Sequence, residues 1–440
     1  MSKLTQAGFY KLEEFKLTPL YESGKYTDID LAPVIVTWQF TEAMDSPYMY
    51  GSATIVESFD MLTQLPVRGE ESLSVTFRDQ FDKQYNYNFV VYAVTDIEVD
   101  QSTGGNSKLL RYTISFCTPQ KLNYDWQWVR KSYGDELISN MVENVFSRYM
   151  SGERDIEIEE THGKQTLVIP KYRPDDAMNF LARRAYNTNR EANLFFFFEN
   201  AEKYHFCTNE YLAEKYKPLV ASEEVAEGNN LKYIYSQVDD NSPEGQRIAR
   251  FAVNNLSYLD RSNSIAAMKQ GAYKRKITEL DYYNRSRNVR TYDYVANIDK
   301  FSFIDDLKVI NTQDYIDRYM PEEEAPETIY VTDYNQLGVP QGKDFSLRKY
   351  AYYAENFMRK TITDYYMKNN EVTCTINGNG NLKAGMMIWL DVFKFSEESK
   401  KVLPDGERNG QYQVIGVNHI FTGDYYVQNL RMSKGGLGKD

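Results

Sequence analysis

The tightest constraint in this sequence is an antiparallel β-pattern that occurs twice. In its C-terminal copy, Asn370 to Arg431, E-V-T-C-T-I-N-G-N-G-N-L-K-A-G-M-M-I-W-L-D-V precedes a polar loop and then N-G-Q-Y-Q-V-I-G-V-N-H-I-F-T-G-D-Y-Y-V-Q-N-L-R-M. Val372, Cys374 and Ile376 stand at alternate positions, as do Met386, Ile388 and Leu390. That is the period of a half-buried strand. Asn377-Gly378 and Gly423-Asp424 are dipeptides of tight turns, where Gly and Asn accept a positive φ. Earlier, Gly69 stands before E-E-S-L-S-V-T-F as Gly385 stands before M-M-I-W-L-D-V. A polar loop, Y-N-Y-N-F-V-V-Y-A-V-T-D-I-E-V-D, a Gly104-Gly105 turn and L-L-R-Y-T-I-S-F complete the first copy.

The strands before each copy extend the parallel. Val34, Val36, Trp38 and Phe40 alternate with Ile35, Thr37 and Gln39, and a loop leads to Gly51 and S-A-T-I-V-E. In the second copy, Ile248 to Tyr258 takes the place of the Trp38 strand. A loop to Gly271 and A-Y-K-R-K-I-T-E (272–279) takes the place of S-A-T-I-V-E.

The 440 residues divide accordingly. Residues 1–122 form a first β-domain, opening with an irregular arm anchored by Phe9, Tyr10, Phe15 and Tyr21. A helical turn, D-M-L-T-Q-L-P, has Asp60 as a cap and Pro66 as its end. Residues 123–215 form a small α+β domain. One helix there places Leu137, Ile138, Met141, Val145 and Tyr149 on one face. A strand pair follows, I-E-I-E-E with T-L-V-I-P. A second helix opens at Arg173-Pro174-Asp175-Asp176, with early acids that suit its N-terminal dipole. Phe195 to Phe198 and Tyr204 to Cys207 close the module as a hairpin, the phenylalanines being core on both faces.

Residues 216–291 and 344–433 make the second β-domain, with a charged link at Ser222–Gly228 and a helix over Ser346–Arg359 carrying Tyr350, Tyr353 and Phe357. The Tyr-rich, acidic stretch 292–343, which includes Pro321-Glu-Glu-Glu-Ala-Pro-Glu, interrupts it as an insertion. Residues 434–440 are a flexible tail. The fold class is α+β, mainly β: two antiparallel β-domains, a small α+β domain and an insertion.

Residue usage offers little to catalysis. Cys117, Cys207 and Cys374 are far apart in strand-like runs, with neither metal spacing nor a disulfide framework, and read as buried hydrophobes of a protein made in a reducing cytoplasm. His162, His205 and His419 lie at no recognised ligand spacing and read as structural, so no metal site and no cofactor is expected. Phosphate-loop and nucleophile-elbow motifs are missing, and Gly378-Asn-Gly-Asn-Leu joins strands rather than opening a helix. Glu57 with Asp60, and Glu279 with Asp281, occupy similar places in the two β-domains and read as scaffold rather than an acid/base pair. No catalytic residue is assigned.

Lys274-Arg275-Lys276 with Arg285, Arg287 and Arg290 is the strongest basic cluster; strand alternation splits it into a solvated face or subunit-subunit ion pairs. A net charge of −12 argues against a surface built mainly to grip nucleic acid; it suits a surface that nucleic acid passes without sticking, and solubility alone would also explain it. The 37 Tyr and 23 Phe suit strands and subunit interfaces that are half packed and half wet. The N-terminus has no apolar signal region, and no run is long enough to span a membrane.

The ordered set Y-G-S-A-T-I-V-E…L-P-V-R-G-E-E-S-L-S-V-T-F, P-D-D-A-M-N-F-L-A-R-R-A-Y…L-F-F-F-F-E-N…Y-H-F and L-K-A-G-M-M-I-W-L-D-V…G-Q-Y-Q-V-I-G-V-N-H resembles the central baseplate hub of contractile-tailed bacteriophages and of related injection machines. The resemblance implies that both β-domains are tail-tube-like barrels or sandwiches, so that a homotrimer presents six of them in a pseudo-sixfold ring. It further implies a virion tail baseplate, assembled in the host cytoplasm, with the central spike, tail-tube and wedge proteins as partners. Tape-measure protein and DNA would pass through without specific binding, and there would be no membrane insertion and no enzymatic activity. Two rivals are a cell-wall hydrolase of the tail (glycosidase or peptidase) and a hub fused to its spike. The lack of a β-helical repeat after Arg431 argues against the second.

Overall fold

The computed structural model describes residues 6–19, 28–59, 61–64, 67, 69–101, 108–152, 154–216, 231–235, 243–258, 264–281, 285–294, 296–297, 325–332, 347–369, 371–396, 401–405 and 408–434. The expectations for Asp60, Pro66, Tyr21, Gly104-Gly105, the 222–228 link and most of 292–343 and 434–440 lie outside them.

The first β-unit comprises β1 (Lys11–Thr18), β2 (Ile29–Asp30), β3 (Ile35–Ala43), β4 (Tyr50–Glu57), β5 (Ser72–Arg78), β6 (Gln84–Gln101) and β7 (Lys108–Cys117). They lie side by side in the order β3-β4-β7-β6-β5-β1-β2. This sheet curls so that Phe15 of β1 contacts Trp38 of β3 across its inner face, ring centroids 5.6 Å apart. Phe15, Trp38, Phe40, Phe77, Phe89 and Phe116 fill the enclosed core. The expected irregular arm is therefore a strand over residues 11–18. Phe15 and Leu17 are buried at alternate positions, and the edge of β5 offers them a ladder.

The small domain contains β8 (Val129–Glu136), β9 (Ile156–Ile158), β10 (Gln165–Tyr172), β11 (Phe195–Glu199) and β12 (Tyr204–Thr208). The helix at Ile138–Val145 buries Ile138, Met141, Val142 and Val145, then widens into a π-turn at Phe146–Met150. The second helix runs over Pro174–Arg184 behind Arg173, with Asp175 and Asp176 in its first turn. The β11–β12 hairpin forms as expected. β9 and β10, expected to pair, do not: β9 lies parallel to β12 and β10 antiparallel to β8. Phe195 and Phe197 face this domain's core, while Phe198 faces Met44, Leu212 and Ala384 on the other side.

The remaining strands are β13 (Lys232–Tyr235), β14 (Val253–Tyr258), β15 (Lys274–Asp281), β16 (Ser286–Asp293), β17 (Glu327–Thr332), β18 (Glu371–Asn377), β19 (Met387–Ser396), β20 (Lys401–Pro404), β21 (Gly410–Thr422) and β22 (Tyr425–Ser433). The second unit has the order β14-β18-β22-β21-β19, which matches β3-β4-β7-β6-β5 strand for strand. The counterpart of β4 is thus β18. The stretch Ala272–Glu279, expected there, lies instead in a separate sheet of order β16-β15-β17, which straddles the anticipated start of the insertion at residue 292. Ala272–Glu279 follows a glycine and alternates as S-A-T-I-V-E does, but nothing local says which strand it must pair with.

The two units share irregularities as well as order. A β-bulge falls between Val91 and Ala93 where β6 meets β7, and between Val414 and Gly416 where β21 meets β22. Another falls between Ile35 and Thr37 in the first unit and between Val253 and Asn255 in the second. The Glu70 N–H donates to Val91 O at 2.6 Å as the Gly385 N–H donates to Val414 O at 2.8 Å. On this alignment Val91 corresponds to Val414, Trp38 to Leu256 and Phe116 to Met432. Bulges re-aim a strand and are features of design rather than defects, so two coincident bulges support a real internal duplication.

Gly423-Asp424 is the expected tight turn between β21 and β22, Gly423 having φ +57°. Asn377-Gly378 is not a hairpin turn, because β18 and β19 pair with other strands. It opens the irregular connection 378–386. The predicted helix at 346–359 runs over Leu347–Asn369, extending beyond Arg359.

Candidate assembly surface

The sequence-predicted reactive groups are spent on structure. Both Glu57 oxygens accept backbone N–H groups, from Phe59 and Met61, each at 2.7 Å, so this carboxylate caps the short helix Met61–Gln64. Glu279 and Asp281 sit two apart on β15 and Asp60 is not described, so neither carboxylate pair forms a described site. Three members of the basic cluster lie beside acidic side chains of the same chain. Lys274 lies 3.8 Å from Asp293, and Lys276 and Arg287 lie 3.9 and 4.0 Å from Glu327. The three cysteines are free and buried. Among the described residues no cluster of His, Cys, Asp and Glu could hold a metal ion, and no helix is long and apolar enough to cross a membrane.

Each histidine has contacts within the chain. His162 Nδ1 accepts the Thr188 N–H at 2.9 Å. His205 is fully buried and stacks on Phe198 at 4.8 Å, and burial pushes its pKa down to about 4. Glu157, 3.7 Å from His205, would be raised by burial. Hydrogen bonds from Lys215, Tyr211 and Lys203 prevail and hold it at about 2. His419 stacks on Phe40 at 4.1 Å and shares a 2.6 Å hydrogen bond with the Tyr426 hydroxyl.

Buried carboxylates collect where domains meet. Glu42 of β3 accepts the Ala201 N–H of the small domain at 2.8 Å and the Ala384 N–H of the second unit at 3.1 Å. Glu199 of the small domain accepts the Thr118 hydroxyl at 2.7 Å and the Met49 N–H at 3.2 Å, both from the first unit, and pairs with Arg154. Burial pushes the Glu199 carboxyl up while Arg154 opposes the shift. Glu210 is also pushed up by burial, and it accepts the N–H groups of Glu191 and Ala192. A hydrolase would need such groups to converge on a cleft; these two oxygen sets instead satisfy buried backbone and the Arg154 charge.

The two β-units are joined edge to edge. The first half of β21 pairs with β19 through Gly410–Gln413, and its second half pairs with β3, from Gly416 opposite Ala43 to Thr422 opposite Thr37. Trp38 and Phe421, opposite each other on this seam, stack with centroids 3.7 Å apart. Two further clamps cross between units. The Gln80 side chain donates to Gly378 O at 2.8 Å, and Asp79 accepts the Gly380 N–H at 3.2 Å. In a third place, the long helix docks on the small domain through the buried Lys360 ammonium, which donates to the carbonyls of Ala182, Arg183 and Ala185 at the end of the helix Pro174–Arg184. Burial pushes Lys360 down to about 7.

Sequence reasoning missed Glu42, Glu199 and Lys360 as junction groups. Glu199, at the end of the run Phe195 to Phe198, was the one with a local signal; Glu42 and Lys360 stand among polar neighbours. Among the described residues the most exposed large apolar side chain is Trp126, at 83%; Trp128 nearby has Arg173 over its ring at 3.8 Å and Lys171 at 4.6 Å.

No protein-family model matches this sequence, and no curated protein is significantly similar to it. Among solved structures, a tail protein from Neisseria meningitidis MC58 is similar over 98% of both chains, with a TM-score of 0.54 and 10% identity. A 43 kDa tail protein of prophage MuSo2 from Shewanella oneidensis is similar over 96% of this chain and 98% of its own, with a TM-score of 0.51 and 9% identity. At such low identity the likeness concerns the fold, and it spans nearly the whole of each chain. This chain has the fold of those two tail proteins.

Proposed function

We propose that the protein is the structural hub subunit of a phage tail baseplate. Three copies form a pseudo-sixfold ring that joins the sixfold tail tube to the threefold central spike. Tape-measure protein and DNA pass through its lumen. The observation that carries this reading is the duplication: two units with the same strand order and the same bulges, fused in one continuous sheet. A protein made of two like units closes a ring of six with three copies, and closure pairs strand edges that otherwise invite aggregation. The fold shared with tail proteins over nearly the whole chain supports the same reading. The acidic balance of the chain suits a lumen along which DNA slides, because tight phosphate binding would hold it back. No catalytic role is proposed.

Native mass by light scattering tests this, with the chain alone and with its cognate spike protein. Three times the 51.4 kDa chain mass for the chain alone, or a complex with the spike that holds three copies of the chain, supports the hub. A monomer under both conditions overturns it.

A further inference from the structure

The seam inside the chain also describes the seam between chains. β3 occupies the second half of β21. The counterpart of that half is β6 beyond Val91, which has one ladder partner among the described residues, β7. Ile97 and Val99 on this stretch are each 56% exposed, although Leu110, opposite Val99, is buried. The counterpart of β3 is β14. Among the described residues its one ladder partner is β18, a single bridge from Ala252 to Ile234 preceding the strand. Asn255, Ser257 and Tyr258 along it are exposed. Each open edge is thus the equivalent of an edge that the chain pairs internally.

We propose that β14 of one copy pairs antiparallel with the distal half of β6 in a second copy, repeating the β3–β21 seam. This rests on the hub reading and specifies its interface. The register follows from the shared alignment. Leu256 comes opposite Val99 as Trp38 is opposite Phe421, and Ser257 comes opposite Glu98 as Gln39 is opposite Ile420. β6 carries one feature that β21 lacks, a bulge between Thr95 and Glu98 with Asp96 at φ +53°. The new ladder therefore starts at Glu98, and Tyr258 meets Ile97 at the bulge. The pairing is head-to-tail, since each copy offers one edge of each kind. Such a contact builds a ring when the rotation closes and a filament when it does not. A strand edge with unpaired N–H and C=O groups and apolar side chains is a template for another strand.

The test uses the full chain with Val99→Cys and Leu256→Cys together, oxidised and run on a non-reducing gel beside light scattering. The expected result is a covalent species of three chains from the double variant and none from either single variant. Independently, Ile97→Lys with Val99→Lys, at exposed positions whose change leaves the circular dichroism intact, weakens self-association by about 100-fold or more. A trimer by light scattering that neither cross-links nor responds to the lysines overturns this seam and leaves the hub reading standing. A chain monomeric at every concentration, alone and with the spike, removes both.

Discussion

Glu42 Oε1 lies 3.6 Å from His419 Nε2, one on each strand of the internal seam and both buried. Around this pair the three parts of the chain converge, because Glu42 also accepts N–H groups from Ala201 and Ala384. Replacing Glu42 by Ala leaves both of these donors without a partner in the interior. At about 1–3 kcal/mol per unsatisfied group, the expected loss is roughly 2–6 kcal/mol, read from the denaturant midpoint. Glu42→Gln keeps one acceptor oxygen and should lose less than Glu42→Ala.

The Trp38–Phe421 stack sits in the middle of the same seam. Phe421→Ala should cost about 3–5 kcal/mol, as for a large aromatic deleted from a packed core. Phe421→Leu, which refills most of the space, should cost clearly less. Equal losses for the two variants in guanidinium titrations would show that the stack does not bear on stability.

His205 sets a pH dependence whose sign is fixed. Unfolded, it takes up its proton near pH ~6.5; folded, only near about 4, because burial opposes the charge. Between those values the unfolded chain binds more protons, so its contribution is complete above pH ~6.5 and is lost as pH falls. The shift corresponds to at most about 3 kcal/mol. His205→Phe should flatten the decline between pH 6.5 and 4 relative to the parent. Glu157, held at about 2, acts in a separate window below pH ~4.3. Identical slopes for parent and His205→Phe across the upper window would refute the assignment.

Gly380 lets the second unit approach Tyr85 of the first. A Cβ at this position would stand 2.5 Å from Tyr85 Cε2. Gly380→Ala is therefore expected to destabilise by about 1–3 kcal/mol through overpacking. In a double-mutant cycle, Gly380→Ala should cost markedly less on a Tyr85→Ala background. Additive losses would place the strain elsewhere.

The strands and the small helices were legible where their cause is local. Pro174 with Asp175 and Asp176 marks a helix start through backbone chemistry alone, and alternation marks β18 through Val372, Cys374 and Ile376. Pairing was not legible. The sequence around Lys274–Asp281 reads as the strand after β14, and only the long-range ladders to β14 and β22 give that place to Glu371–Asn377 instead. β1 escaped notice because just Phe15 and Leu17 show its buried face. The junction residues were hidden for the same reason: Glu42 acquires meaning from Ala201 and Ala384, partners that no local pattern connects to it.

The divided strand β21 has a consequence for biosynthesis. The Thr41 hydroxyl donates to Asn418 across the seam, and 377 residues of chain separate the two. At ribosomal rates of ~5–20 residues per second, β3 leaves the ribosome roughly 20–75 s before the strand that covers its edge has been made. Throughout that interval the nascent first unit carries an unsatisfied strand edge, so the yield of soluble protein should depend on how well the cell shields the growing chain.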